Sequence, residues 1–201
     1  MSSDFQTLLL GMREAAGALR DAEIPFALGG SMAVYAYGGA DTDHDVDFLI
    51  RPQDAERALD ELARAGFRVE KPPEGWLYKA YDQSGALIDL IFNPTTGPVS
   101  DELLARAEEV EVYAIRVPVI SPTDVLASKL LALREHNLDF APMLEIARSL
   151  REQIRWDELR RRTSESPYAK PFFTLVEELG LAPESGAVSE PLEFPPLRQT
   201  S

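Results

Sequence analysis

His44-Asp45-Val46-Asp47-Phe48-Leu49-Ile50 places two carboxylates at the head of an apolar run. The β-branched and aromatic residues from Val46 to Ile50 predict a strand. Alternate side chains of a strand share a face, so Asp45 and Asp47 point the same way. Carboxylates this close repel, and burial raises at least one pKa unless a cation offsets the charge. Hard divalent cations take oxygen ligands, and Mg2+ commonly binds one or two protein carboxylates together with substrate phosphate. An Asp-x-Asp pair is also an ordinary solvated strand end, so its neighbours decide its meaning.

Upstream, Ile24-Pro25-Phe26-Ala27-Leu28 reads as a strand that halts at Gly29-Gly30. Ser31 stands where it would cap a short helix through Met32, Tyr35 and Ala36. Strand, paired glycines and helix start form a backbone that can approach phosphate closely, with N–H groups aimed at it. A plain strand-to-helix turn is the alternative. Downstream, Asp89 interrupts Ala86-Leu87-Ile88-Asp89-Leu90-Ile91-Phe92. A charge in so apolar a strand is costly unless it is ligated or paired with an Arg or Lys.

Further out, Phe5, Leu8, Leu9, Met12, Ala15, Ala16 and Leu19 recur at helical spacing. Pro52 opens another helix, with Ala55, Ala58, Leu59 and Leu62 on one face and Gly66 as its stop. Strands are predicted at Phe67–Glu70, Trp76–Tyr81 and Leu87–Phe92, the last two joined by an Asp82-Gln83-Ser84-Gly85 turn. A helix is expected over Asp101–Glu108, then one or two strands between Val110 and Val119. Ser121-Pro122-Thr123-Asp124 is a strong helix start: cap, first-turn proline and first-turn acid. Helices are expected near Phe140–Gln153, Trp156–Glu165 and Lys170–Leu179. The reading is a mixed α/β core over residues 1–120, a helical subdomain over 121–181, and a disordered tail over 182–201.

The chain has 201 residues, 45% of them apolar, and no cysteine, so disulfides and thiolate metal sites are excluded. Its formal net charge of -14 opposes general DNA or RNA binding, which relies on Lys and Arg displacing counterions. Met1-Ser2-Ser3-Asp4 lacks a signal-peptide pattern, and no apolar run is long enough to span a bilayer. A cytoplasmic protein with no membrane partner is expected.

Taken together, Gly29-Gly30-Ser31, His44-Asp45-Val46-Asp47-Phe48-Leu49-Ile50 and Leu87-Ile88-Asp89-Leu90-Ile91 resemble the signature of the DNA polymerase β-like nucleotidyltransferase superfamily. Within it, the Ser121–Leu133 helix is similar to that of bacterial AbiEii-type toxins and minimal nucleotidyltransferases. The resemblance implies transfer of a nucleoside monophosphate from NTP to an acceptor hydroxyl, with release of pyrophosphate. It implies Mg2+ or Mn2+ as cofactor, with Asp45, Asp47 and Asp89 as metal ligands and catalytic carboxylates. Gly29, Gly30, Ser31 and Lys129 would grip the nucleotide phosphates. The acceptor would be a tRNA end, a protein or a small molecule such as an aminoglycoside, and a partner antitoxin is a further implication. Two departures stand out. Relatives carry an arginine just before the Asp pair, where this chain reads Gly39-Ala40-Asp41-Thr42-Asp43. The AbiEii-type proteins also carry a later acidic motif after the lysine helix, which Asp139 and Glu145 match only approximately. An inactive nucleotide-binding protein retaining the fold is therefore the alternative.

Other residues carry weaker signals. His44 adjoins the Asp pair, and His136 ends the Val125–Arg134 helix. Arg148, Arg151, Arg155, Arg160, Arg161 and Arg162 either dock RNA or pair with the interleaved Glu152, Asp157 and Glu158, the second being favoured. Trp76 and Tyr78, alternating with Leu77, either line the acceptor cleft or pack ordinarily.

Overall fold

Residues 3–40 and 45–183 are described by a computed structural model. His44, Asp41 and Asp43, and all of the expected tail except Ala182 and Pro183, lie outside the described residues.

The apolar stripe read from the first residues becomes a 19-residue helix, α1 (Ser3–Asp21). Its seven stripe residues are all buried. The chain then runs through β1 (Phe26–Leu28), α2 (Gly30–Ala36), β2 (Val46–Ile50) and, after a 3-10 turn at Pro52–Asp54, α3 (Ala55–Arg64). There follow β3 (Arg68–Glu70), β4 (Leu77–Tyr81), β5 (Leu87–Ile91), α4 (Asp101–Ala105), β6 (Glu108–Val112) and β7 (Ile115–Val119). From Ile120 onward the described elements are helical: α5 (Pro122–Ala132), α6 (Ala141–Leu150), α7 (Trp156–Arg162) and α8 (Ala169–Glu178). The fold is mixed α/β.

The strands form one seven-stranded sheet in the order β3-β4-β5-β2-β1-β7-β6. β2 lies antiparallel to β1 but parallel to β5, and β1 lies parallel to β7. α1 and α3 pack on one another and on one face of the β2–β5–β4 region. That face holds Val46, Phe48, Ile50, Ile88 and Leu90, all buried. Period-two alternation therefore turns Asp47, Leu49, Asp89 and Ile91 to the opposite face.

Several boundaries differ from the sequence reading, most by one to three residues. α4 stops at Ala105 because Glu108 is already the first residue of β6. Val110–Val119 resolves into a hairpin turning at Tyr113 and Ala114, both left-handed at φ 49° and 62°. Two-residue hairpin loops need positive φ, usually supplied by Asn-Gly or Asp-Gly, so this turn had no sequence signal. The helix predicted to reach Arg134 ends at Ala132.

α5 is the centre of the helical half, contacting α2, α6 and α7. Its start is fixed as the sequence suggested. The Ser121 hydroxyl accepts from the Asp124 amide and donates to the Asp124 carboxylate at 2.6 Å. Asp124, almost fully buried, also receives Arg106 at 3.0 Å and Arg162 at 2.8 Å. Burial alone would raise its pKa, but the Ser121 hydrogen bond and the two guanidiniums hold it below the ordinary value. Its folded pKa is depressed, so its stabilisation is present above the ordinary carboxylate range and is lost as pH falls through the folded pKa. Asp124→Asn is expected to cost about 2–3 kcal/mol at pH 7, because two guanidiniums lose a buried partner. The loss should shrink as pH falls below the ordinary carboxylate value of about 3.9, where the unfolded chain takes up the proton, and on through the lower folded pKa. Chemical denaturation from pH 7 downward reads it.

Candidate active site

The sheet register assembles the cluster. Asp47 on β2 is the parallel partner of Asp89 on β5, and Asp89 is the antiparallel partner of Lys79 on β4. Asp45 precedes β2 by one residue and shares the face of Asp47. Carboxylate oxygens of Asp45, Asp47 and Asp89 lie within 4.8 Å of one another. All three predicted carboxylates are thus brought together.

Asp89 is buried, and the sequence left it either ligated or paired. The Lys79 ammonium lies 2.9 Å from one of its oxygens and 3.1 Å from the other. Pairing is therefore present, on the edge of the cluster away from Asp47. Burial raises the Asp89 pKa above its ordinary value, although Lys79 opposes the shift. Burial pushes the Asp47 carboxyl up to about 7, with the charges of Asp45 and Asp89 adding to the rise and Lys129 and Lys79 opposing it. Among the described residues, the Asp45 and Asp47 carboxylates have no salt-bridge partner like Lys79.

Gly30 supplies the floor beside them. Its φ is +52°, a left-handed conformation, and a Cβ built there would stand 1.8 Å from an Asp47 oxygen. Only glycine fits that position. Gly29 is different. Its amide donates to the Asp47 carbonyl at 2.9 Å, and an added Cβ would meet only the Leu49 side chain, at 3.3 Å or more. The cap of α2 is Gly29, with no side-chain hydrogen bond, so Ser31 lies inside the first turn rather than at the cap. α2 has just seven residues.

A cleft of about 440 Å³ opens over the cluster. Gly30, Asp45, Asp47 and Asp89 form its polar floor, and Lys129 and Ser128 approach from α5. Leu49, Ile91, Ile120 and Val125 form apolar wall, and Trp76, Pro94, Thr95 and Thr96 line the side away from β1. Gly29 and Ser31 are not among the lining residues. Tyr78 does not join Trp76 there. It donates to Glu56 at 2.6 Å and packs on Phe92 on the α3 side of the sheet. Tyr78 and Lys79 are successive strand residues and must face opposite ways. Trp76 precedes β4, so the alternation does not bind it.

Lys79 is the main residue that sequence reasoning missed. Its signal lay in the Asp82–Gly85 turn, where the Asp82 amide donates to the Ala86 carbonyl and sets the hairpin register. That register carries Lys79 opposite Asp89. Asp139 accepts from the Ala141 amide at the start of α6 and, like Glu145, lies outside the cleft lining. In the arginine-rich segment, Arg151, Arg155, Arg160 and Arg162 all make ion pairs within the chain. No described helix is long and apolar enough to cross a membrane.

The donor set suits a hard divalent ion: three carboxylates close together, a glycine cradle and a lysine from the opposite wall. No curated protein matches the chain. Among solved structures, ANT(2")-Ia in complex with adenylyl-2"-tobramycin superposes with a TM-score of 0.61 at 11% identity, covering 83% of this chain and 99% of that one. The solution structure of the antibiotic-resistance factor ANT(2'')-Ia gives 0.57 at 11% identity, covering 87% and 98%. An antigenic nucleotidyltransferase-like protein from Paracoccidioides brasiliensis gives 0.52 at 15%, covering 88% and 89%. At these identities the likeness is one of fold. The sequence match is to a family described as uncharacterised nucleotidyltransferase, which covers residues 4–177, and the chain belongs to that family.

Proposed function

We propose that this chain is a Mg2+- or Mn2+-dependent nucleotidyltransferase that moves a nucleoside monophosphate from an NTP to an acceptor hydroxyl and releases pyrophosphate. The observation that carries the reading is the meeting of Asp45, Asp47 and Asp89 within 4.8 Å, beside a glycine whose Cβ would occupy the same space.

In this reading Asp45, Asp47 and Asp89 hold the cation, which neutralises the phosphate charge that builds as the bond to the leaving group breaks. Lys129, on α5, faces the β- and γ-phosphates, and the Gly29-Gly30-Ser31 turn supports them from below. The acceptor oxygen attacks the α-phosphorus, the bond from that phosphorus to the β-bridging oxygen breaks, and pyrophosphate leaves. Asp89, its pKa raised by burial, takes the acceptor proton. Residues 1–120 then carry the carboxylates and residues 121–181 carry Lys129, with the reaction between them.

The order of strands supports a layout for the acceptor. From β1 to β4 the cleft presents Gly30, then the Asp45–Asp47 strand, then Asp89, then Trp76 and the Pro94–Thr96 loop. With phosphates over Gly30, the acceptor meets Asp89 and Trp76. Trp76 is 38% exposed and lines the cleft, so its indole is open to a ligand there. A polycationic, hydroxyl-rich acceptor of the aminoglycoside class suits a net charge of -14 and a stacking surface. The same fold in ANT(2")-Ia bears adenylyl-2"-tobramycin. Trp76→Ala is expected to raise the acceptor KM about 10-fold, with NTP affinity and kcat little changed, because it removes one stacking surface.

Pyrophosphate release tests the reading. Each of the four NTPs is supplied with Mg2+ or Mn2+, with aminoglycosides, pooled tRNA and the protein itself as acceptors. Release that requires an acceptor and disappears in Asp45→Ala and Asp47→Ala supports it. Tight Mg-NTP binding without release under any of these conditions would favour a nucleotide-binding protein that has lost turnover.

A further inference from the structure

Lys129 reaches the cleft from a helix that is anchored at its first turn. Val125, Ser128, Lys129 and Ala132 of α5 all line the cleft, and at i, i+3, i+4 and i+7 they form one helix face. Just before the helix, the Ile120 amide donates to the Leu28 carbonyl at 3.0 Å, which ties α5 to the strand leading into Gly29 and Gly30. The buried Thr123 hydroxyl accepts from the Arg155 amide at 2.9 Å. Asp124, with 2% of its side chain exposed, takes Arg106 at 3.0 Å and Arg162 at 2.8 Å.

The two guanidiniums come from different halves of the chain. Arg106 follows α4 and donates again to the Glu102 carbonyl at 3.1 Å. Arg162 ends α7 and pairs again with Glu158 at 3.3 Å. Each is thereby held to its own element, and Asp124 joins them. By helix geometry, Asp124 and Lys129 stand about 140° apart around α5 and about 7.5 Å apart along it. Asp124 is not among the residues lining the cleft, so its grip acts on Lys129 through the helix. Turning α5 by about 20° would swing a group about 6 Å from its axis through about 2 Å. Misplacement by about 1 Å is already enough to cost an active site heavily.

We propose that Asp124, gripped by Arg106 from the sheet half and by Arg162 from the helical half, is a positioning residue for nucleotide binding: it sets the rotation of α5 and thereby presents Lys129 to the triphosphate. The proposal rests on the reading in which Lys129 faces the β- and γ-phosphates. Its consequence is a coupling between two residues that look to different sides of one helix. Loss of Asp124 should weaken the hold on the triphosphate, and only for as long as Lys129 is there to be misplaced.

A double-mutant cycle on the full chain separates positioning from general support of the fold. Binding of the four α,β-methylene NTP analogues with Mg2+ is measured by calorimetry, and the tightest carries the cycle, with circular dichroism to confirm folding. Asp124→Asn and Lys129→Met are each expected to weaken binding about 10-fold, and the double variant to bind no more weakly than Lys129→Met alone. Losses that multiply to about 100-fold would overturn the proposal, as would a folded Asp124→Asn that binds like the wild type. If Asp124→Asn fails to fold, Arg162→Met takes its place in the cycle, and Arg162→Lys is expected to recover most of the affinity. A Lys129→Met that binds like the wild type would overturn both the phosphate role of Lys129 and its positioning. Pyrophosphate release dependent on Asp45 and Asp47 would then still leave the transferase reading standing. A wild type that binds none of the four analogues would overturn the nucleotide-site reading and the proposal with it.

Discussion

Asp47→Asn is expected to raise the melting temperature of the metal-free protein at pH 8 while abolishing nucleotidyl transfer. The folded chain pushes the Asp47 carboxyl up to about 7 through burial and the neighbouring charges of Asp45 and Asp89. An ordinary aspartate titrates near 3.8. Between those values the folded state holds a proton that the unfolded state has released, so stability falls as pH rises and the decline is complete above about 7. At about 1.4 kcal/mol per pH unit, the cost of ionised Asp47 in the metal-free fold reaches at most about 4 kcal/mol. Asparagine is nearly the same shape and escapes that cost. The variant's advantage should therefore be largest at pH 8 and vanish below about pH 4, where the wild-type carboxyl is protonated in both states.

Metal reverses the order. A cation at the cluster favours the ionised carboxylate, so Mg2+ should stabilise the wild type more at pH 8 than at pH 6 and should do little for Asp47→Asn. Transfer should fall about 1,000-fold or more, equivalent to roughly 4 kcal/mol of lost transition-state stabilisation. Thermal melts in chelator and in Mg2+, at several pH values, check the stability half of the expectation. A variant no more stable than the wild type in chelator at pH 8 would contradict it.

Gly30→Ala is the second large effect. The residue sits at φ +52° and its new Cβ would lie 1.8 Å from an Asp47 oxygen, far inside any contact distance. The methyl group must either flip the backbone or drive the carboxylate from the cluster, and both outcomes spoil the site. Displacement of a reacting group by about 1 Å costs on the order of 100-fold in rate, so a loss of at least that size is expected. Gly29→Ala is the control, because its Cβ meets only the flexible end of Leu49. It should retain most activity. Parallel kcat measurements on the two variants, with circular dichroism to confirm folding, check the contrast. Equal losses in both would show that the turn matters for folding and not for the position of Asp47.

Much of this was legible in the residues. Alternation put Asp45 and Asp47 on one face, and the apolar context of Asp89 marked it as a charge needing a partner. The Ser121-Pro122 start gave α5 its observed first turn, with Ser121 as cap. What stayed hidden was tertiary in origin. That Asp89 faces Asp47 depends on β5 lying beside β2, a pairing between segments some forty residues apart that no local pattern encodes. Lys79 became visible only once the hairpin register was known. Trp76 and Tyr78 do not share a face because Trp76 lies one residue before the start of β4, outside the strand's alternation. Ser31 looked like a cap by residue type, but Gly30 already has the helix's first-turn position and Gly29 takes the cap.

The central claim is transfer to an acceptor, and mass spectrometry of the acceptor tests it most directly. An acceptor that supports pyrophosphate release is incubated with the matching NTP and Mg2+, then weighed. The expected product carries one nucleoside monophosphate on a hydroxyl, in amount equal to the pyrophosphate released, and is absent with Asp89→Asn. An acceptor recovered unmodified, while the NTP is bound or merely hydrolysed to monophosphate and pyrophosphate, would contradict the account.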